Sequence, residues 1–121
     1  MWCKRESVTI TTDASGDTTA YVGPVNGRVL SIQYVKDDYA NGIDFVITGE
    51  DTGIAIYTGT DVNASTTVYP RAGVHGLTGT ALTYDGTRTV NEAIGIAGER
   101  IKRVVDEGGS AKSGTFHITL G

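Results

Sequence analysis

Ile43-Asp44-Phe45-Val46-Ile47-Thr48-Gly49-Glu50-Asp51-Thr52-Gly53-Ile54-Ala55-Ile56-Tyr57 is the stretch that decides the fold. Ile43, Phe45 and Ile47 alternate with Asp44, Val46 and Thr48, and after the loop Gly49–Gly53, Ile54 and Ile56 alternate with Ala55 and Tyr57. Successive side chains of a strand point to opposite faces, so period-two alternation marks strands with one face in a core. Two such runs across a short loop containing glycine make a hairpin.

Working toward the N-terminus, Leu30, Ile32 and Tyr34 share one face of an expected strand from Arg28 to Lys36, with Ser31 and Gln33 on the other. Asn26-Gly27 before it is a turn signal. Val8 and Ile10 alternate with threonines in Ser7–Thr11. Asp13–Asp17 is a turn cluster, and Thr18–Gly23 is expected to return as the second strand of a first hairpin.

Toward the C-terminus, periodicity weakens from Gly59 to Thr89. Val68-Tyr69 has the character of a short strand ended by Pro70, which cannot donate to a ladder. So long a stretch without regular elements is usually functional or disordered, and its apolar content argues against simple disorder. Periodicity resumes at Val90, Ile94 and Ile96. Gly98-Glu99 fits a two-residue turn with glycine first, which would bring Ile96 opposite Ile101. Glu99–Glu107 also fits a short helix with Ile101, Val104 and Val105 on one side. The strand is preferred because the segment is short and β-branched. Phe116, Ile118 and Leu120 alternate with Thr115, His117 and Thr119 in a last strand.

The expected fold is therefore all-β, a single antiparallel β-sandwich or jelly-roll-like domain of seven to nine short strands over residues 6–121, after a short N-terminal arm, 1–5. No internal repeat of fixed period is evident. Composition agrees. The 121 residues include 18 Thr, 17 Gly, 12 Val and 10 Ile but only 4 Leu and 1 Met. Branching at Cβ suits a pleated surface, whereas the residues of an amphipathic helix are scarce. Area scaling predicts roughly 6,200 Å² of exposed surface for a chain of this size.

The net charge is -4, so a direct role on nucleic acid is not expected. The one basic cluster, Arg100, Lys102 and Arg103, is flanked by Glu99, Asp106 and Glu107 and is expected to be a solvated strand face. Cys3 is the only cysteine and is expected to be a bystander thiol in a reducing cytoplasm. Met1–Arg5 is followed by polar Glu6 and Ser7, without the apolar core of a signal peptide, and no apolar run is long enough for a transmembrane helix.

Residue chemistry gives no case for catalysis. His75 and His117 form no metal-ligand spacing. No nucleophile elbow occurs, and Gly108-Gly109-Ser110 lacks its strand-turn-helix context. Asp37, Asp38, Asp44, Glu50 and Asp51 are expected in turns or on solvent-facing strand positions. A calcium-loop reading from Asp37 fails because its third and twelfth positions are Tyr39 and Thr48. The glycines at 73, 76 and 79 match no phosphate-binding pattern. The chain is expected to be no enzyme and to hold no cofactor or metal. What remains is a binding or structural role. Tyr69, Arg71, Val74, Leu77 and Tyr84 are the candidate partner-binding residues, with Trp2 in the arm, since Tyr, Trp and Arg are frequent interface anchors. The competing reading is a loop folded over the end of its own sandwich.

The chain as a whole resembles the capsid cement or decoration proteins found among the virion structural proteins of tailed bacteriophages. The resembling residues are Gly27-Arg28-Val29, Asp44 through Glu50, Thr52-Gly53, Val68-Tyr69-Pro70-Arg71, Gly98 through Lys102, Val104-Val105, Gly108-Gly109 and Lys112 through Phe116. The resemblance implies a β-sandwich or jelly roll that binds the outer surface of an icosahedral head. It implies the major capsid protein as partner, a dimer or trimer on the shell, and synthesis in the host cytoplasm. The alternatives are a neck, connector or tail component and a carbohydrate-binding β-sandwich module. Against the last, Trp2 is the only tryptophan and lies outside the expected strands.

Overall fold

The computed structural model describes residues 3–121. It contains β1 (Lys4–Thr11), β2 (Thr18–Val35), β3 (Ile43–Gly49), β4 (Ala55–Val62), β5 (Thr66–Val68), β6 (Arg71–Gly73), β7 (Asn91–Asp106) and β8 (Ser113–Leu120). All pairings are antiparallel. The eight strands form one sheet in the order β1-β8-β2-β7-β3-β4, with β5 added to β2 and β6 to β7. No helix among the described residues is long and apolar enough to cross a membrane.

The sheet curls on itself. Phe45 on β3 and Phe116 on β8 lie three strands apart in the order, a separation of roughly 14 Å in a flat sheet. Their ring centroids are 5.0 Å apart. The curl encloses a core of inward residues from every long strand, among them Ile10, Val29, Ile32, Tyr34, Ile43, Ile47, Ile101, Val105 and Ile118. The Tyr34 ring packs on Phe45 and Phe116 with centroids 5.0 and 5.3 Å away. Tyr39 closes one end of this aromatic group, donating its hydroxyl to the Ile10 carbonyl at 2.5 Å. Burial pushes both Tyr34 and Tyr39 up to about 12. Gly114 is required beneath Tyr39, because a Cβ there would come within 2.1 Å of the ring.

The bend comes from residues that look like turns in sequence. Asn26-Gly27 and Gly98-Glu99 were each expected to reverse the chain. Instead they face one another on two continuous strands: Asn26 pairs with Ala97 and Val25 with Glu99. The register slips between Val22 and Val25 and again between Val25 and Asn26, beside the cis Gly23-Pro24 peptide. The Gly98 N–H donates to the Asn26 side chain at 2.8 Å, and Gly98 has φ +65°, which a residue with a Cβ adopts only at a cost. An extra residue in one strand kinks it and sharpens the local twist. The signals were genuine irregularities, but ones that bend a strand rather than end it.

Two other expectations change. Asp13–Asp17 does turn, its Asp13 carboxylate accepting from the N–H groups of Ser15 and Asp17. The flanking strands nevertheless do not pair as a hairpin. β1 lies along β8, and the first half of β2 lies along β7. Lys4 and Arg5 belong to β1 rather than to an arm. Residues 99–106 are strand, as preferred over the short helix. The hairpin of β3 and β4 forms as expected, with Ile43, Phe45, Ile47 and Ile56 buried and Ile54 left exposed in the loop.

Arg103 is the exception to the solvated basic face. Alternation along β7 places it inward between Ile101 and Val105, and it is fully buried. All three of its guanidinium nitrogens lack a hydrogen-bond partner among the described residues. Burial pushes Arg103 down to about 10, opposed by the charge of Glu6. Arg100 keeps to the outer face, where it binds Glu50 through two nitrogens at 2.5 Å and covers the Tyr21 ring at 4.3 Å.

Candidate interaction head

Residues 69–93 project from the curled body and contribute nothing to its core. Their large side chains stand in solvent rather than against the body: Leu77 is 108% exposed, Tyr84 73% and Tyr69 68%. The described residues expose 6783 Å², about a tenth more than the area expected from chain size.

The segment is ordered by a three-way hydrogen-bonded node. The Val74 N–H donates to the Val90 carbonyl at 2.9 Å, the Val90 N–H to Leu82 at 3.1 Å, and the Leu82 N–H to Val74 at 2.9 Å. Three short antiparallel pairings radiate from this ring. The base is β6 against the start of β7, with Arg71 opposite Ala93 and Gly73 opposite Asn91. The first lobe is closed by His75 opposite Ala81, and the second by Thr83 opposite Thr89. Val74, Leu82 and Val90, the three members of the node, lie eight residues apart.

Each lobe satisfies its own backbone. In the first, the Gly76 N–H donates to Thr80 at 2.8 Å and the Gly79 N–H to Gly76 at 3.0 Å. In the second, the Asp85 carboxylate accepts from the Arg88 N–H at 2.8 Å, the Thr87 N–H at 3.1 Å and the Thr87 hydroxyl at 2.9 Å. These bonds, the Arg88 N–H foremost, hold Asp85 below the usual carboxylate range.

The candidate residues therefore divide. Leu77 sits at the tip of the first lobe and Tyr84 at the start of the second; Leu82, 44% exposed, lies between them in the node. Tyr69 stands at the base, on the link between β5 and β6. Val74 is half-buried in the node. Arg71 reaches inward, donating to the Leu30 carbonyl at 3.3 Å and the Pro70 carbonyl at 2.8 Å, so it tethers the head to β2. Trp2 lies outside the described residues. The head carries two acidic residues, Asp85 and Glu92, and two arginines, Arg71 and Arg88, so its formal charge is zero.

Such a head can bind by shape and apolar contact. Leu77 and Tyr84 are held out in water by a backbone already folded, and ordering the contact surface in advance removes part of the entropy that association otherwise costs. Elsewhere, Asp44, Asp106 and Glu107 bring their carboxylates within 4.8 Å of one another. His117 lies on the outer face of β8, with its Nδ1 2.6 Å from the Ser7 hydroxyl. No family model matches the chain, and no curated protein matches it.

Proposed function

We propose that this protein is a non-enzymatic structural component of a tailed-phage virion that binds the outside of the head and bridges neighbouring major capsid subunits. The observation that carries the reading is the protruding, hydrogen-bonded head with Leu77 and Tyr84 exposed. A neutral head with an aliphatic and an aromatic anchor suits an apolar recess on another protein, where buried aromatic and aliphatic groups dominate affinity. It suits phosphate backbones poorly, since those are bound through clustered Lys and Arg. This reading also takes the curled sheet to be a jelly-roll-like sandwich, and the protein to be made in the host cytoplasm and carried on the shell as a homo-oligomer.

The test is stoichiometry in purified particles, with a Leu77→Ala, Tyr84→Ala double variant beside the native protein. Hundreds of native copies on the shell surface, and loss of the variant from otherwise intact particles, support the reading. A small ring-like copy number at one vertex points to a neck or tail component. Absence from particles overturns the virion assignment.

A further inference from the structure

A second surface, on the body and remote in sequence from the head, carries its own inference. The outer face of β2, β7, β3 and β4 has an apolar centre. Val104 pairs with Thr19 on one side and Val46 on the other, and Val46 pairs with Thr58. Val46 and Val104 are exposed, and so is Tyr21, two residues along β2 from Thr19.

The face is polar in opposite senses at its two ends. Two residues from Val104 in one direction, Asp106 pairs with Asp44. Glu107, Asp61 and Asp17 crowd the same end; mutual repulsion, with Asp44 and Asp106 foremost, raises Glu107 above the usual carboxylate range. Two residues in the other direction, Lys102 lies between Tyr21 and Thr48. Arg100 beyond it is already neutralised by Glu50, so Lys102 is the cation this end can offer.

We propose that this face docks on the same face of a second copy of the chain, forming a two-fold dimer with its axis running across the strands through the Val46–Val104 row. Two axes in the interface plane could stack such faces. An axis along the strands would place Lys102 over Lys102 and the acidic end over itself. An axis across them reverses one copy, so that Lys102 of each lies over Asp106 of the other and the valines meet at the centre. Charge selects the second, because like charges juxtaposed across an interface repel and suppress that pairing. An isologous contact needs a patch that is its own complement, and a face with an apolar centre and ends of opposite sign meets that condition. Lys102 and Asp106 lie on either side of Val104, about 13 Å apart along the strand, far enough to form separate ion pairs on each side of the axis.

This inference shares with the virion reading only the homo-oligomer. A protein that dimerises through this face but never enters particles fails that reading alone. The test is sedimentation velocity of the full chain over a wide concentration range. The native protein is expected to dimerise, and Lys102→Asp or Asp106→Lys alone to weaken dimerisation about tenfold or more. The Lys102→Asp, Asp106→Lys double variant is expected to recover most of the loss. Far-UV circular dichroism checks that each variant folds. Spin labels on Val104→Cys, in a Cys3→Ser background, are expected to give one short distance between copies. A monomer at every concentration, a dimer indifferent to both charge reversals, or a dimer lost on truncating Leu77 and Tyr84 instead would overturn the proposal.

Discussion

The curled body and the protruding head are built by different means. In the body, Ile94, Ile96, Ile101 and Val105 of β7 are sealed in the core on either side of the Gly98 irregularity, and aromatic rings from β2, β3 and β8 interlock between the limbs of the sheet. In the head, the same strand continues back to Asn91, but order rests on backbone hydrogen bonds centred on the node and on an aspartate-capped turn. A core fixes its side chains by burying them. A hydrogen-bonded node fixes the backbone and leaves the side chains outside, which is the arrangement a binding surface requires. The price is local stability, since exposed ladders with little burial open at low free energy.

The contrast can be broken most directly by truncation. Phe116→Ala is expected to lower stability by about 3–5 kcal/mol, because it empties the centre of the aromatic group. Leu77→Ala is expected to stay within about 0.5 kcal/mol of the native protein. Chemical denaturation measures both, and a comparable loss at Leu77 would mean that the head is part of the core. Next, Leu82→Pro removes the N–H that donates to Val74 and opens the node. Hydrogen exchange is expected to accelerate at Val74, Leu82 and Val90 while body amides keep their protection. Joint loss in both regions would show that they unfold as one unit.

A smaller effect, in the opposite direction, is expected within the body. Arg103 is buried with three nitrogens that find no partner among the described residues, and Met fills a similar volume without a charge to desolvate. Arg103→Met is therefore expected to melt at the same temperature as the native protein or above it; a large fall would mean that the charge supports the fold. Smallest is Glu107→Gln. The folded protein holds the Glu107 proton more tightly than the unfolded chain does, so ionisation of this group weakens the fold as pH rises through the window between its ordinary and raised values. The variant is expected to be slightly the more stable at neutral pH. The difference is expected to vanish on acidification, as thermal melts across pH would report.

Much of the body was legible along the chain. Phe45, Ile47, Phe116 and Ile118 are buried and Val46, Thr48 and His117 face outward, as alternation requires. The misread positions have a common cause. Asn26-Gly27 and Gly98-Glu99 carry residues that permit either a turn or a bulge, and only their pairing across two strands distinguishes these outcomes. Arg103 is of the same kind: its place on the inward side follows from the alternation of Ile101 and Val105, but its charge argued for solvent. In the head, Leu77 and Tyr84 were identifiable as apolar residues in an irregular stretch. The node was not, because its partners are joined by backbone groups, to which side-chain chemistry gives little guide.

The sequence by itself determined the class of fold and the inward face of β1, β3 and β8, because both depend on period-two alternation and on the stiffness of β-branched residues; on β2 it is Val29 rather than the expected Leu30 that is buried. Only the tertiary structure decided which strands pair, where the long strands bend and that residues 69–93 stand away from the core. Those outcomes depend on hydrogen bonds and contacts between segments far apart in the chain, and local side-chain preference leaves them open.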